Sequence, residues 1–173
     1  MANEPDHGDT VLRRMLADTG SYDFYVAVLG DGPFPAETIG VHKAVLMQVS
    51  DTFRNMVSGP MQEGKCGKVV FDTDVTTARL FVTFMYTGVL DDGVRSIDDI
   101  EARVLFDVEY LADFWQVQGC LRTVRSHVEA RLALAVSNLG EGSVAEKDFK
   151  AIVVLGVAGF RIFLLFRLVS TTC

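Results

Sequence analysis

Between residues 22 and 59 the apolar side chains change their spacing from every second position to a helical repeat, and the change falls at a single histidine. "YDFYVAVL" alternates and is rich in β-formers, and Gly30, Asp31 and Gly32 then supply the permissive backbone of a hairpin turn before "FPAETIGV" returns. Immediately afterwards "HKAVLMQVS" carries helical periodicity, and Ser50 is placed to cap a second helix, "DTFRNMVSG", which Gly59 and Pro60 end. A strand pair running straight into a helix pair is compatible with an α+β fold, a small β-sheet flanked by a cluster of α-helices.

The remaining segments extend that scheme. "DTVLRRMLADTG" spaces Val11, Leu12, Met15 and Leu16 as one helical stripe, with Asp9 or Thr10 as the N-cap and Gly20 beyond the end. "GKVVFDTD" reads as a third strand, and "TTARLFVTFMYTG" as a helix with Leu80, Phe81, Phe84 and Met85 on one face and Gly88 as its stop. Ser96 is a candidate cap for "IDDIEARVLFDVEYLADFW", whose stripe is Ile100, Val104, Val108 and Leu111; Asp98 and Asp99 suit the positive end of its dipole. A final helix repeats the pattern through Leu121, Val124, Val128 and Leu132. The expected organisation is a flexible stretch over 1–8, a domain over 9–133, a polar linker over 134–150 and an apolar tail over 151–173.

Charge and cysteine content narrow the function. Sixteen basic residues against twenty-three acidic ones give a net charge of −7, which repels a phosphate backbone, so nucleic acid is not an expected partner. Cys66, Cys120 and Cys173 form an odd set without metal-ligand spacing, the pattern of reduced thiols in a cytoplasmic or nuclear protein. The polar, acidic N-terminus lacks the basic start and apolar run of a secretory signal. The tail differs: "AIVVLGVAGFRIFLLFRLV", residues 151–169, has the length of a membrane span but holds Arg161 within it and Arg167 near its end. It is read either as a membrane anchor or as a buried segment such as a truncated helical extension.

Motifs for chemistry are missing. No serine stands in a G-x-S-x-G elbow, so Ser50, His42 and an aspartate make a triad only on paper. "LGDGP" opens no helix and lacks the later glycine of a dinucleotide fingerprint, and nothing matches a phosphate-binding loop. His42, accompanied only by His7 and His127, is read as a structural histidine. The chain is expected to be no enzyme and to need no cofactor or metal.

Five fragments in order carry a resemblance: "YDFYV" before the hairpin, "HKAVL" with the serine-phenylalanine pair of "SDTFRNM", "KVVF", "FMYTG" and "EYLADFWQVQGCL". Over about residues 10–133 the chain resembles the BTB/POZ domain. That resemblance implies a non-enzymatic interaction module, a homodimer built on the first helix, and adaptor work that docks a cullin-3 scaffold and a client protein in protein ubiquitination. It implies a dimer interface of Val11, Leu12, Met15 and Leu16, with Asp23 and Lys43 as an acid and a base near the dimer centre. The cullin contact it implies draws on Phe53, Met56 and Tyr86 and on a hydrophobic residue followed by an acid, either Ile97 with Asp99 or, in the helix register, Ile100 with a displaced acid. Two other outcomes fit the same architecture: a membrane-associated or channel-type oligomerisation domain, and a self-assembly module with no cullin contact.

Overall fold

The computed structural model describes residues 7–29, 35–90 and 99–137, with side chains from residue 11 to residue 134 outside the two gaps and residues 35 and 36. The chain forms α1 (His7–Ala17), β1 (Phe24–Leu29), β2 (Pro35–Val41), α2 (Lys43–Val49), α3 (Asp51–Ser58), α4 (Gln62–Cys66), β3 (Lys68–Phe71), α5 (Val75–Thr87), α6 (Ala102–Phe114) and α7 (Gln118–Ser137). The described residues divide into two units, those within 7–100 and 104–125, and those within 101–103 and 126–137.

In the first unit β1 is the centre of a three-stranded sheet in the order β2-β1-β3. It pairs antiparallel with β2, Phe24 opposite Val41, and parallel with β3, Val26 opposite Val69. The parallel partner is possible because α2, α3 and α4 form the crossover that parallel strands require. Alternation then sorts the faces. Phe24, Val26, Val28, Val69 and Phe71 are buried, whereas Tyr25, Leu29 and Val70 are exposed.

The helices begin and end for local reasons. Ser50 caps α3 by accepting the Phe53 N–H at 3.3 Å, as its position suggested. Asp74, an N-cap the sequence reading did not single out, accepts the Thr77 N–H at 3.0 Å and the Thr77 hydroxyl at 2.5 Å. Partial burial pushes the Asp74 carboxyl upward, yet these Thr77 bonds and neighbouring backbone N–H groups outweigh it and leave the carboxyl below its ordinary range. Gly88, at φ 71°, closes α5 in the left-handed conformation that favours glycine.

Two elements differ from expectation. Helix α4 was not foreseen, because five residues are too few to display a period. Helix α6 starts at Ala102, so Asp99 and Ile100 precede it instead of lying in its first turns; Ala-Arg-Val-Leu is the better helix former, and Ile100 is buried from the preceding turn. Helix α7 runs to Ser137, with no glycine or proline before Gly140. The expected cap Ser96, the hairpin turn at 30–32, the linker from residue 138 onward and the tail all lie outside the described residues.

Candidate functional site

The histidine at which the sequence changes period is the hub of a hydrogen-bond chain that is buried at its Tyr86 end and open to solvent at its Ser21 end. The Tyr86 hydroxyl accepts the His42 backbone N–H at 2.7 Å and lies 2.8 Å from the ring Nδ1, while Nε2 is 2.9 Å from Ser21 Oγ. Ser21 Oγ in turn donates to the Asp18 carbonyl at 3.0 Å. One proton assignment satisfies every group: Tyr86 donates to Nδ1, a neutral imidazole carries its proton on Nε2, and Nε2–H donates to Ser21. Both ring nitrogens are therefore engaged in holding the fold. Burial pushes the Tyr86 phenol up to about 12, so this hydroxyl stays a donor across physiological pH.

Ser50 is committed in the same way. Its hydroxyl donates to the Trp115 carbonyl at 2.5 Å while its oxygen caps α3, and its hydrogen bonds run to Trp115 and Phe53, whereas those of the His42 ring run to Ser21 and Tyr86. The triad that can be written on paper is not assembled. Among the described residues, no group of three or more His, Cys, Asp or Glu is placed to hold a metal ion.

The residues assigned to self-association lie at two places. On α1, which packs against α5, Leu12, Met15 and Leu16 are half-buried and Val11 is 55% exposed. The helix thus covers part of its stripe within its own subunit and leaves the rest open. Asp23 and Lys43 do meet, but through the backbone: the Asp23 carboxylate accepts the Lys43 N–H at 2.7 Å. This caps α2, whose preceding residue His42 offers no side-chain cap, and the Lys43 ammonium extends over the Phe24 ring, 6.0 Å from its centroid.

The residues assigned to a cullin contact are placed otherwise. Phe53, Met56, Tyr86 and Ile100 are all buried in the core, Asp99 is exposed, and Ile97 lies outside the described residues. Three of the four have identifiable surroundings. Phe53 stacks on Trp115 with centroids 4.7 Å apart, Met56 lies one turn further along the same face of α3, and Tyr86 is the hydroxyl partner of His42.

What reaches the surface near Phe53 is a second aromatic layer that the sequence reading did not assign. Trp115 meets Phe114 edge to face at 5.0 Å, and Phe114 stacks with Tyr110 at 6.2 Å, one turn back on α6. Tyr110 is 51% exposed and Phe114 58%. The signal was present, since Tyr110 and Phe114 are spaced i, i+4 and fall off the stripe of Val104, Val108 and Leu111. Gln116, at φ 56°, then turns the chain back in a helix-ending motif in which the Val117 N–H bonds the Ala112 carbonyl at 2.8 Å. Glu109, nearly buried, pairs with Arg125 at 2.7 Å and ties α6 to the first turns of α7.

Comparison with known proteins identifies this arrangement. No curated protein is matched by the sequence. Among solved structures, the BTB domain of human gigaxonin superposes with a TM-score of 0.51 at 16% identity, over 73% of this chain and 95% of that one. The BTB domain of zebrafish PATZ1 does so with a TM-score of 0.52 at 19% identity, over 75% and 98%. At those identities the likeness establishes the fold. The BTB/POZ domain model matches residues 22–132, more than half of the chain and the span that holds the sheet, the His42 hub and the aromatic layer; the chain belongs to the BTB/POZ domain family.

Proposed function

We propose that this BTB domain self-associates through α1 and acts as an adaptor whose aromatic ledge on α6, Tyr110 and Phe114, receives a cullin-3 type scaffold. The coarser role, protein–protein interaction and oligomerisation, follows from family membership. The finer reading rests on one observation: two stacked aromatic rings stand more than half exposed on a surface braced from below by Trp115 and Phe53. Large rigid aromatics over a packed base are the usual anchors of an interface, because they bury much area while losing little conformational freedom. Asp99, exposed ahead of α6, is the candidate acidic rim residue. Phe53, buried beneath Trp115, serves this surface as support, whereas Met56, Tyr86 and Ile100 are buried in the core.

Calorimetric titration of the full-length chain with the N-terminal region of cullin-3 tests the reading. The wild type should bind. Phe114→Ala should weaken binding roughly thirtyfold, the loss of an anchor worth about 2 kcal/mol. Asp99→Ala should lower affinity only a few-fold, with its effect mostly on association rate and salt dependence. No detectable heat from a well-folded wild type at high micromolar concentration would remove the cullin role and leave a self-assembly module with another client.

The membrane reading rests on the apolar run of residues 151–169. Among the described residues no helix is long and apolar enough to cross a membrane. Detergent-free fractionation of the full-length chain tests the tail directly, and recovery confined to the membrane fraction would favour the channel-type reading.

A further inference from the structure

The connection from α1 to β1 is only a few residues long, yet it is fastened at three points. The Asp18 carboxylate accepts the Gly20 N–H at 3.1 Å, the Asp18 carbonyl takes both the Ser21 N–H and the Ser21 hydroxyl, and the Tyr22 hydroxyl reaches back to donate to the Leu16 carbonyl. The last of these matters most for α1. The final carbonyls of a helix have no partner within it, and Tyr22 supplies one from outside while fixing the direction in which the helix leaves.

Tyr22 is itself held on two sides. Its ring packs edge to face against His42 at 5.4 Å, so the hub described above is its wall. Its floor is Gly40 of β2, where an added Cβ would lie 1.8 Å from the ring Cδ2 and 2.4 Å from Cε2. Such an overlap cannot be relieved by flexing a side-chain tip, since the atoms are ring atoms close to their own backbone. Gly40 has no side chain because the Tyr22 ring occupies that space.

We propose that Tyr22, seated on Gly40 and bonded to the Leu16 carbonyl, is the positioning residue that fixes where α1 presents its open apolar stripe. The proposal rests on the reading of α1 as the self-association surface. Val11 is largely exposed, and Leu12, Met15 and Leu16 are half-covered by the helix's own subunit, so small shifts of α1 change what a second copy meets. An eleven-residue helix has marginal order of its own, so an external hydrogen bond at its C-terminal end has leverage on it.

Two measurements on the full-length chain decide the matter: hydrogen exchange of the α1 amides and the dimer dissociation constant by sedimentation. Tyr22→Phe keeps the ring on Gly40 and deletes only the hydroxyl. It should speed exchange in α1 about fivefold and weaken dimerisation by a similar factor, the scale of one net hydrogen bond, with β1 and α5 amides unchanged. Gly40→Ala should do the same by displacing the ring, and should add nothing in a Tyr22→Ala background, where the ring is gone. Tyr25→Phe, on the exposed sheet face, should leave both quantities at wild-type values. Unchanged α1 exchange in Tyr22→Phe and Gly40→Ala overturns the clasp, and faster exchange with an unaltered dimer overturns its role at the interface. A wild type that stays monomeric removes α1 as a self-association surface, and the exchange data still show whether Tyr22 holds the helix.

Discussion

At the N-terminal end of α2 stands His42, in a cluster of hydroxyls and a carbonyl; at its C-terminal end stands Ser50, whose single hydroxyl lies beside a stack of aromatic rings. The two ends hold the same short helix by different physics. A polar cluster gains little net free energy, because each hydrogen bond replaces one to water, but it penalises every alternative that leaves a group unpaired. An aromatic stack gains by area and tolerates sliding. The hub therefore fixes geometry, at the junction of α1, β2 and α5, whereas the stack supplies burial and continues outward into the exposed ledge of Phe114 and Tyr110.

The largest break should come on the aromatic side. Phe53 is fully buried with Trp115 stacked upon it, and Phe53→Ala removes a ring whose space its neighbours cannot readily fill. A loss of about 3 to 5 kcal/mol in denaturant unfolding is expected. A loss below about 1.5 kcal/mol would mean that the stack collapses onto the gap and that the ledge above is not braced from beneath.

On the polar side Tyr86→Phe removes one oxygen and leaves the His42 N–H and Nδ1 without their partner. Buried groups left unpaired cost about 1 to 3 kcal/mol, so a loss near 2 to 3 kcal/mol is expected despite the nearly conserved shape. The same residue gives a pH signature. Burial raises the Tyr86 phenol from 10.0 to about 12, so the unfolded chain ionises first. Its contribution to stability is complete below about pH 10 and is lost as the pH rises toward 12. Cys120, raised by burial from 9.0 to about 12, begins the same decline a little earlier. Unfolding of a Cys120→Ala protein followed against pH isolates the tyrosine part, and that part should vanish when Tyr86→Phe is added.

How much of this was legible follows the same division. Strands β1, β2 and β3, the helices α2 and α3 and the buried face of α5 were readable, because a periodic apolar pattern records local structure directly in the chain. Ser50 was readable as a cap because capping is local. The hub was not. It joins residues 21, 42 and 86, and no local rule tells a histidine at a helix start which hydroxyls will face it. The resemblance offers Phe53, Met56, Tyr86 and Ile100 for a cullin contact, while helical spacing of aromatic and methionine side chains and the α6 stripe suit a core; all four are buried in this subunit. The exposed pair Tyr110 and Phe114 could have been found by asking which large apolar residues fall outside each helix's stripe.

Ser21→Ala should have the smallest effect, and it sharpens the contrast within the hub itself. Ser21 and Tyr86 each take one nitrogen of the same imidazole, at 2.9 and 2.8 Å, and by bond length alone they look equivalent. Their surroundings are not: Tyr86 is buried, whereas Ser21 is exposed. When the Ser21 hydroxyl is removed, water can take its place as acceptor for Nε2–H, and such a bridge is nearly as good as a direct bond. The turn keeps its backbone bond from the Ser21 N–H to the Asp18 carbonyl at 3.3 Å. A loss under about 0.5 kcal/mol is expected, as for an ordinary surface change. The two losses, measured by the same denaturant titration, should therefore differ several-fold although each variant deletes one hydroxyl from one histidine. A Ser21→Ala cost equal to that of Tyr86→Phe would mean that solvent does not reach Nε2, and that the hub is closed at both ends.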